Sequence, residues 1–121
     1  MSGDGLLGSW SATRWQYTSR ATPDRVVDVV TGLGGSVTLS LSAQAYVLTW
    51  AVPGLGDGTI GGALAIEDGR LALIPAGAGL AESLAFRLAS ATLALSCDAS
   101  SWDFDGSGEV RADFVAVLVR L

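Results

Sequence analysis

Lysine, histidine and asparagine are absent from these 121 residues, and cysteine occurs once. One cysteine, Cys97, cannot form a disulfide within the chain, which excludes a disulfide-stapled secreted scaffold and leaves the compartment open. Without histidine there is no Cys/His zinc site and no imidazole to activate Cys97 or a serine, so Cys97 reads as a small core residue. Positive charge is scarce: seven arginines face twelve acidic residues, for a net charge of −5. Nothing here supplies the clustered cations that phosphate backbones or anionic membrane surfaces require. The all-arginine usage is the skew of a GC-rich genome rather than a binding code.

Long hydrophobic runs are missing too. No stretch approaches the length of a membrane-crossing helix, and the opening residues "MSGDGLLGSW" lack the basic start and apolar core of a signal peptide. A cytoplasmic protein and an exported one whose leader has been removed both remain open. Charged residues make up only 16% of the chain while half of it is hydrophobic, so a disordered polypeptide is excluded. Residues 1–121 are expected to form a single domain, long enough to bury a core without staples.

What the chain does have is a period of two. In "SVTLSLS", from Ser36, Val37, Leu39 and Leu41 share one face and hydroxyl residues the other, as in a half-buried strand. Similar runs follow: "AYVLTWAV", "TIGGALAI", "RLALI", "ESLAFRLA", "TLALSC" and "VRADFVAVLVRL", separated by Gly, Pro and Asp turns. "GSWSATRWQYTS" at the front is a further strand. Between it and Ser36, "TPDRVVDVVTGLGG" predicts a short helix, with Thr22 or Asp24 as cap, Val26, Val27 and Val30 as its apolar stripe, and glycines as its stop. The expected fold is all-β: an eight-stranded antiparallel up-and-down barrel with one helix between the first two strands. Closure removes exposed sheet edges; a sandwich is the alternative.

Gly8 and Trp10 form G-x-W at the start of the first strand, a crossover follows, and the chain ends in "VLVRL" with Arg120. In these features the sequence resembles the lipocalins, and more closely small bacterial lipocalin-like domains, whose last hairpin often carries an Asp/Gly-rich turn such as "DFDGSGE". The resemblance implies that Trp10 plugs the closed end of the barrel beneath the Arg120 guanidinium, a favourable cation–π contact. It also implies non-catalytic binding of a small hydrophobic or amphipathic molecule in the barrel.

Strict alternation from Trp10 sends Ala12, Arg14 and Gln16 inward and Trp15 and Tyr17 outward, an order that a bulge in the strand would reverse. The candidate ligand-binding residues are Arg14, Gln16, Leu39, Tyr46, Leu48, Trp50, Phe86, Leu95 and Phe114: apolar walls with a few polar handles. Val37, Leu41, Leu84, Leu88, Leu93 and Leu118 complete the inward set. A barrel filled by its own side chains, acting as a structural or interaction domain, is the second reading. "VAVLV", apolar on both faces, would then be covered in a homodimer. A shape-based cyclase or isomerase would draw on Arg14, Tyr46, Glu82 and Arg87; no catalytic residue is assigned.

"WDFDGSGEVRADF", Trp102–Phe114, is the most chemical-looking stretch. Asp103, Asp105, Ser107 and Gly108 match the first positions of a helix-loop-helix calcium loop, but Arg111 and Phe114 stand where the later ligands belong. Asp103, Asp105 and Glu109, with Asp98 nearby, could hold Ca²⁺ weakly; otherwise this is a turn whose aspartates bond their own backbone, anchored on the barrel rim by Trp102 and Phe104. No other cofactor is expected. Gly34 and Gly35 lack the strand-to-helix setting of a phosphate loop.

Overall fold

The computed structural model describes residues 6–67, 69–76, 82–102, 104 and 108–121, except for the side chains of Glu82, Ala99 and Ser101. Among the described residues nine strands run in chain order: β1 (Gly8–Ser19), β2 (Val26–Asp28), β3 (Ser36–Leu41), β4 (Ala45–Val52), β5 (Gly56–Glu67), β6 (Arg70–Pro75), β7 (Glu82–Ala89), β8 (Thr92–Trp102) and β9 (Val110–Arg120). Every pairing is antiparallel, consecutive strands from β3 to β9 are neighbours, and β1 pairs with both β3 and β9. That last pairing closes an eight-stranded up-and-down barrel from β1 and β3–β9. A sandwich would leave β1 and β9 unpaired with one another, so the topology rules it out.

β2 is an appendage. Among the described residues it pairs only with the second half of β1, from Gln16↔Asp28 to Thr18↔Val26. The helix expected across residues 22–35 does not form: the stretch is β2 followed by a tight turn through Leu33. Val26, Val27 and Val30 suit a strand as well as a helix, and the β1 edge beyond Ser11 offers N–H and C=O groups that a helix could not pair. The turn itself is built on Asp28, whose backbone carbonyl accepts the N–H groups of Gly32 and Leu33 at 2.8 and 3.1 Å.

Two strands outrun their sequence patterns. β5 begins at Gly56 because Asp57 and Gly58 continue the ladder to Ala51 and Trp50, leaving Pro53–Leu55 as the turn. β8 runs on to Trp102 across a bulge between Cys97 and Ser100.

The core follows the alternation. Trp10, Leu39, Leu71, Leu93, Leu95 and Leu118 are essentially sealed from solvent, with Val37, Leu41, Tyr46, Leu84 and Phe114 buried beside them. Leu48, Trp50, Phe86 and Leu88 are half-buried against that cluster. Trp10 and Arg120 are directly paired across β1 and β9, with the guanidinium 4.3 Å from the indole centroid. Trp10 Nε1 donates to the Leu6 carbonyl (2.9 Å) and Arg120 Nη1 to that of Leu7 (2.8 Å), so the chain start is tied across this end of the barrel. Gly8 is required here: its φ is +127°, and a Cβ on it would lie 2.6 Å from Arg120 Nη1.

Candidate functional site

At the end away from Trp10 the barrel is not filled. A cavity of about 350 Å³ lies there, lined by Trp15 and Tyr17 of β1, Val29 after β2, Val37 of β3, Leu48, Trp50 and Val52 of β4, Leu55 and Gly56 at the β4–β5 turn, and Trp102 at the end of β8. Strand direction explains the location. β1, β4 and β8 all finish at this end, and β3, β5 and β9 start from it.

A bulge decides which residues of β1 reach the cavity. Ala12 pairs with Leu118 and Arg14 with Val117, so Thr13 is an extra residue with no partner of its own. Beyond it the side-chain phase inverts. Trp15 and Tyr17 therefore join the cavity wall and Ser19 is buried, while the Arg14 side chain is 56% exposed and Gln16 is half-buried off the wall. The alternation expected from Trp10 holds to Ala12 and fails after it.

The aromatic residues form one connected wall. Tyr17 stacks on Trp102 with centroids 4.6 Å apart and planes at 18°. Phe114 backs both β1 aromatics, meeting Trp15 edge-on at 4.8 Å and Tyr17 at 5.2 Å. Trp15 Nε1 donates to the Tyr17 hydroxyl at 3.2 Å. Such ring pairs contribute about 0.5–1.5 kcal/mol each beyond the area they bury. Three of the four tryptophans thus line the cavity, and the fourth, Trp10, plugs the opposite end.

Asp28 holds this wall from behind. Its side chain is only 11% exposed, and its Oδ1 accepts the N–H groups of Trp15 (3.2 Å), Val30 (2.9 Å) and Thr31 (3.1 Å). The Val29 N–H donates in turn to the Trp15 carbonyl at 2.9 Å. Burial pushes the Asp28 carboxyl up, but the amides of Thr31, Trp15 and Val30 outweigh it and hold the group below the usual carboxylate range. Arg14 Nε lies 4.0 Å from the outer oxygen, Oδ2.

Of the residues singled out from sequence, Leu48 and Trp50 line the cavity and Phe114 supports its aromatic wall. Leu39, Leu95 and Tyr46 are buried in the packed part of the core, and Phe86 is half-buried against it. Arg14, Tyr46 and Arg87 are not brought together on the cavity, Arg87 being exposed; the Glu82 side chain lies outside the described residues. Asp103 and Asp105 also lie outside them, whereas Glu109 and Asp98 are exposed. Among the described residues no three His, Cys, Asp or Glu side chains group closely enough to hold a metal. Cys97 is half-buried against the core, and Val115 and Val119 are exposed on the outward face of β9.

Trp15, Tyr17, Val29, Val52, Leu55, Gly56 and Trp102 are the lining residues that the sequence pattern did not assign to a pocket. The aromatic density of "TRWQYTS" was the available signal for two of them; its phase was not readable. Neither a protein-family model nor a characterised protein sequence matches the chain.

Proposed function

We propose that the barrel binds a small hydrophobic or amphipathic molecule at its open end without transforming it, in the manner of the lipocalins that G-x-W, the strand order and the terminal arginine resemble. The observation that carries this reading is the cavity of about 350 Å³ with its apolar and aromatic lining. Small-molecule sites span about 300–1,000 Å³ and owe their affinity mainly to desolvation of apolar surface. A cavity of about 150 Å³ takes one benzene ring, so this one suits a ligand of about two rings or equivalent bulk. The division of the barrel supports the same reading: a sealed half around Trp10 gives rigidity, and an unfilled half offers space.

Native mass spectrometry on freshly purified protein tests it. A reproducible adduct of small-molecule mass, lost on denaturation, is expected. Protein that stays bare, and takes up no compound from a panel of bicyclic and medium-chain apolar molecules, would overturn the proposal in favour of a barrel whose role lies on its outer face.

A further inference from the structure

The geometry points to a planar, uncharged aromatic molecule of about two fused rings as the ligand class of the cavity, stacked on the indole of Trp50. This rests on the reading of the cavity as a binding site and narrows what it takes.

Trp50 on β4 is paired directly with Gly58 on β5. A Cβ on Gly58 would lie 2.5 Å from Trp50 Cζ2, 2.9 Å from Cε2 and 3.1 Å from Cη2. A point in the indole plane beyond Cζ2 would be clearly farther from its two bonded neighbours; one above the ring has distances of this kind. Gly58 therefore lies against the face of the ring, not its edge. With no side chain at 58, the indole rests flat on the strand. Trp50 also lines the cavity, and with one face covered by Gly58 the opposite face is the one left for a ligand. A flat, rigid ring face is matched best by another flat ring in an offset stack.

The rest of the site agrees. Trp15, Tyr17 and Trp102 make the other aromatic wall, itself fixed by the Tyr17–Trp102 stack and the Trp15–Tyr17 hydrogen bond. Among the described lining residues there is no acidic or basic side chain. A buried ammonium or carboxylate would lack a counter-charge, so any charge on the ligand belongs at the mouth. A flexible alkyl chain would fit the volume, yet it would lose rotamer freedom and gain no stacking.

The test is a calorimetric titration of the full chain with 1-naphthol and with 1-decanol, which has as many non-hydrogen atoms, repeated on Trp50→Leu and Gly58→Ala. In the unaltered protein 1-naphthol is expected to bind about tenfold more tightly, the upper end of what ring stacking adds beyond area. Its ring protons should move upfield in the NMR spectrum. Trp50→Leu removes the face and Gly58→Ala lifts the indole off its strand. Each should erase most of that preference, with circular dichroism and Tm of both variants showing that they fold. Equal affinity for the two probes in the unaltered protein, or a preference that survives both substitutions, would overturn the aromatic assignment and leave a general apolar site. Binding of neither probe would overturn the binding function itself.

Discussion

Asp28 gives one carboxylate oxygen to three backbone N–H groups, and through them fixes the Trp15 backbone and the turn bearing Val29. Hydrogen bonds to a charged acceptor contribute more than neutral ones, and leaving the buried donors unpaired carries its own penalty. Asp28→Ala is therefore expected to cost about 2–3 kcal/mol, read as a lowered Tm in circular dichroism. Its pH dependence has a definite sign. The folded pKa is depressed, so the stabilisation is fully present above the unfolded value of about 4 and is lost as pH falls through the folded one. The Tm gap between the unaltered protein and Asp28→Ala should be flat above about pH 5 and shrink below about pH 4; a constant gap down to pH 2 would contradict the role. Gly8 is the second decisive residue. Gly8→Ala combines an unfavourable φ with a clash against Arg120, and a loss of about 1–3 kcal/mol is expected in denaturant titration. Of these two positions, Gly8 was legible beforehand because G-x-W and Arg120 are local signs; Asp28 was not, since an aspartate between valines says nothing of the amides it will meet.

Among elements, β1 carries the most information per residue. Its first half pairs with β3 and holds the plug, its second half pairs with β2 and holds the cavity wall, and Thr13 separates the two. Deleting Thr13 should remove the bulge and leave Trp15 opposite Ala116 and Tyr17 opposite Phe114, so that both rings stay inward. The expected outcome is unshifted tryptophan emission and retained 1-naphthol binding. A red-shifted emission with loss of binding would mean that Thr13 is not the extra residue. The same element shows where sequence reading stops. Alternation identified all eight barrel strands because a period of two is written locally into "SVTLSLS" or "AYVLTWAV". A bulge is not written locally: it shows only in the register of two paired strands, and β1 and β9 stand more than ninety positions apart in the chain. The short helix expected after β1 fails for the same reason, since the deciding partner of "VVD" is Gln16–Thr18.

For the whole molecule, the choice between a packed and a hollow barrel resolves by position along its axis. Leucines and Trp10 fill one half; aromatic side chains stand around an open space in the other. Trp10→Ala, removing a wholly buried indole from the filled half, should cost about 3–5 kcal/mol without changing the ligand preference of whatever remains folded. Of the residues expected to bind a ligand, Leu48 and Trp50 line the cavity and Phe114 backs its wall, while Leu39, Tyr46 and Leu95 are buried in the packed core. The division between them depends on summed side-chain volumes around the barrel, which no single strand reveals.

Uptake of an apolar guest by this open half is what the proposed function requires, and its three tryptophans provide the reporter. Titration with the two-ring fluorophore 1-aminonaphthalene under tryptophan excitation, at several temperatures, measures that uptake. Saturable energy transfer with one probe per chain, competition by 1-naphthol and a negative heat-capacity change of binding are the predicted results. Linear, unsaturable transfer that 1-naphthol does not displace would contradict the account.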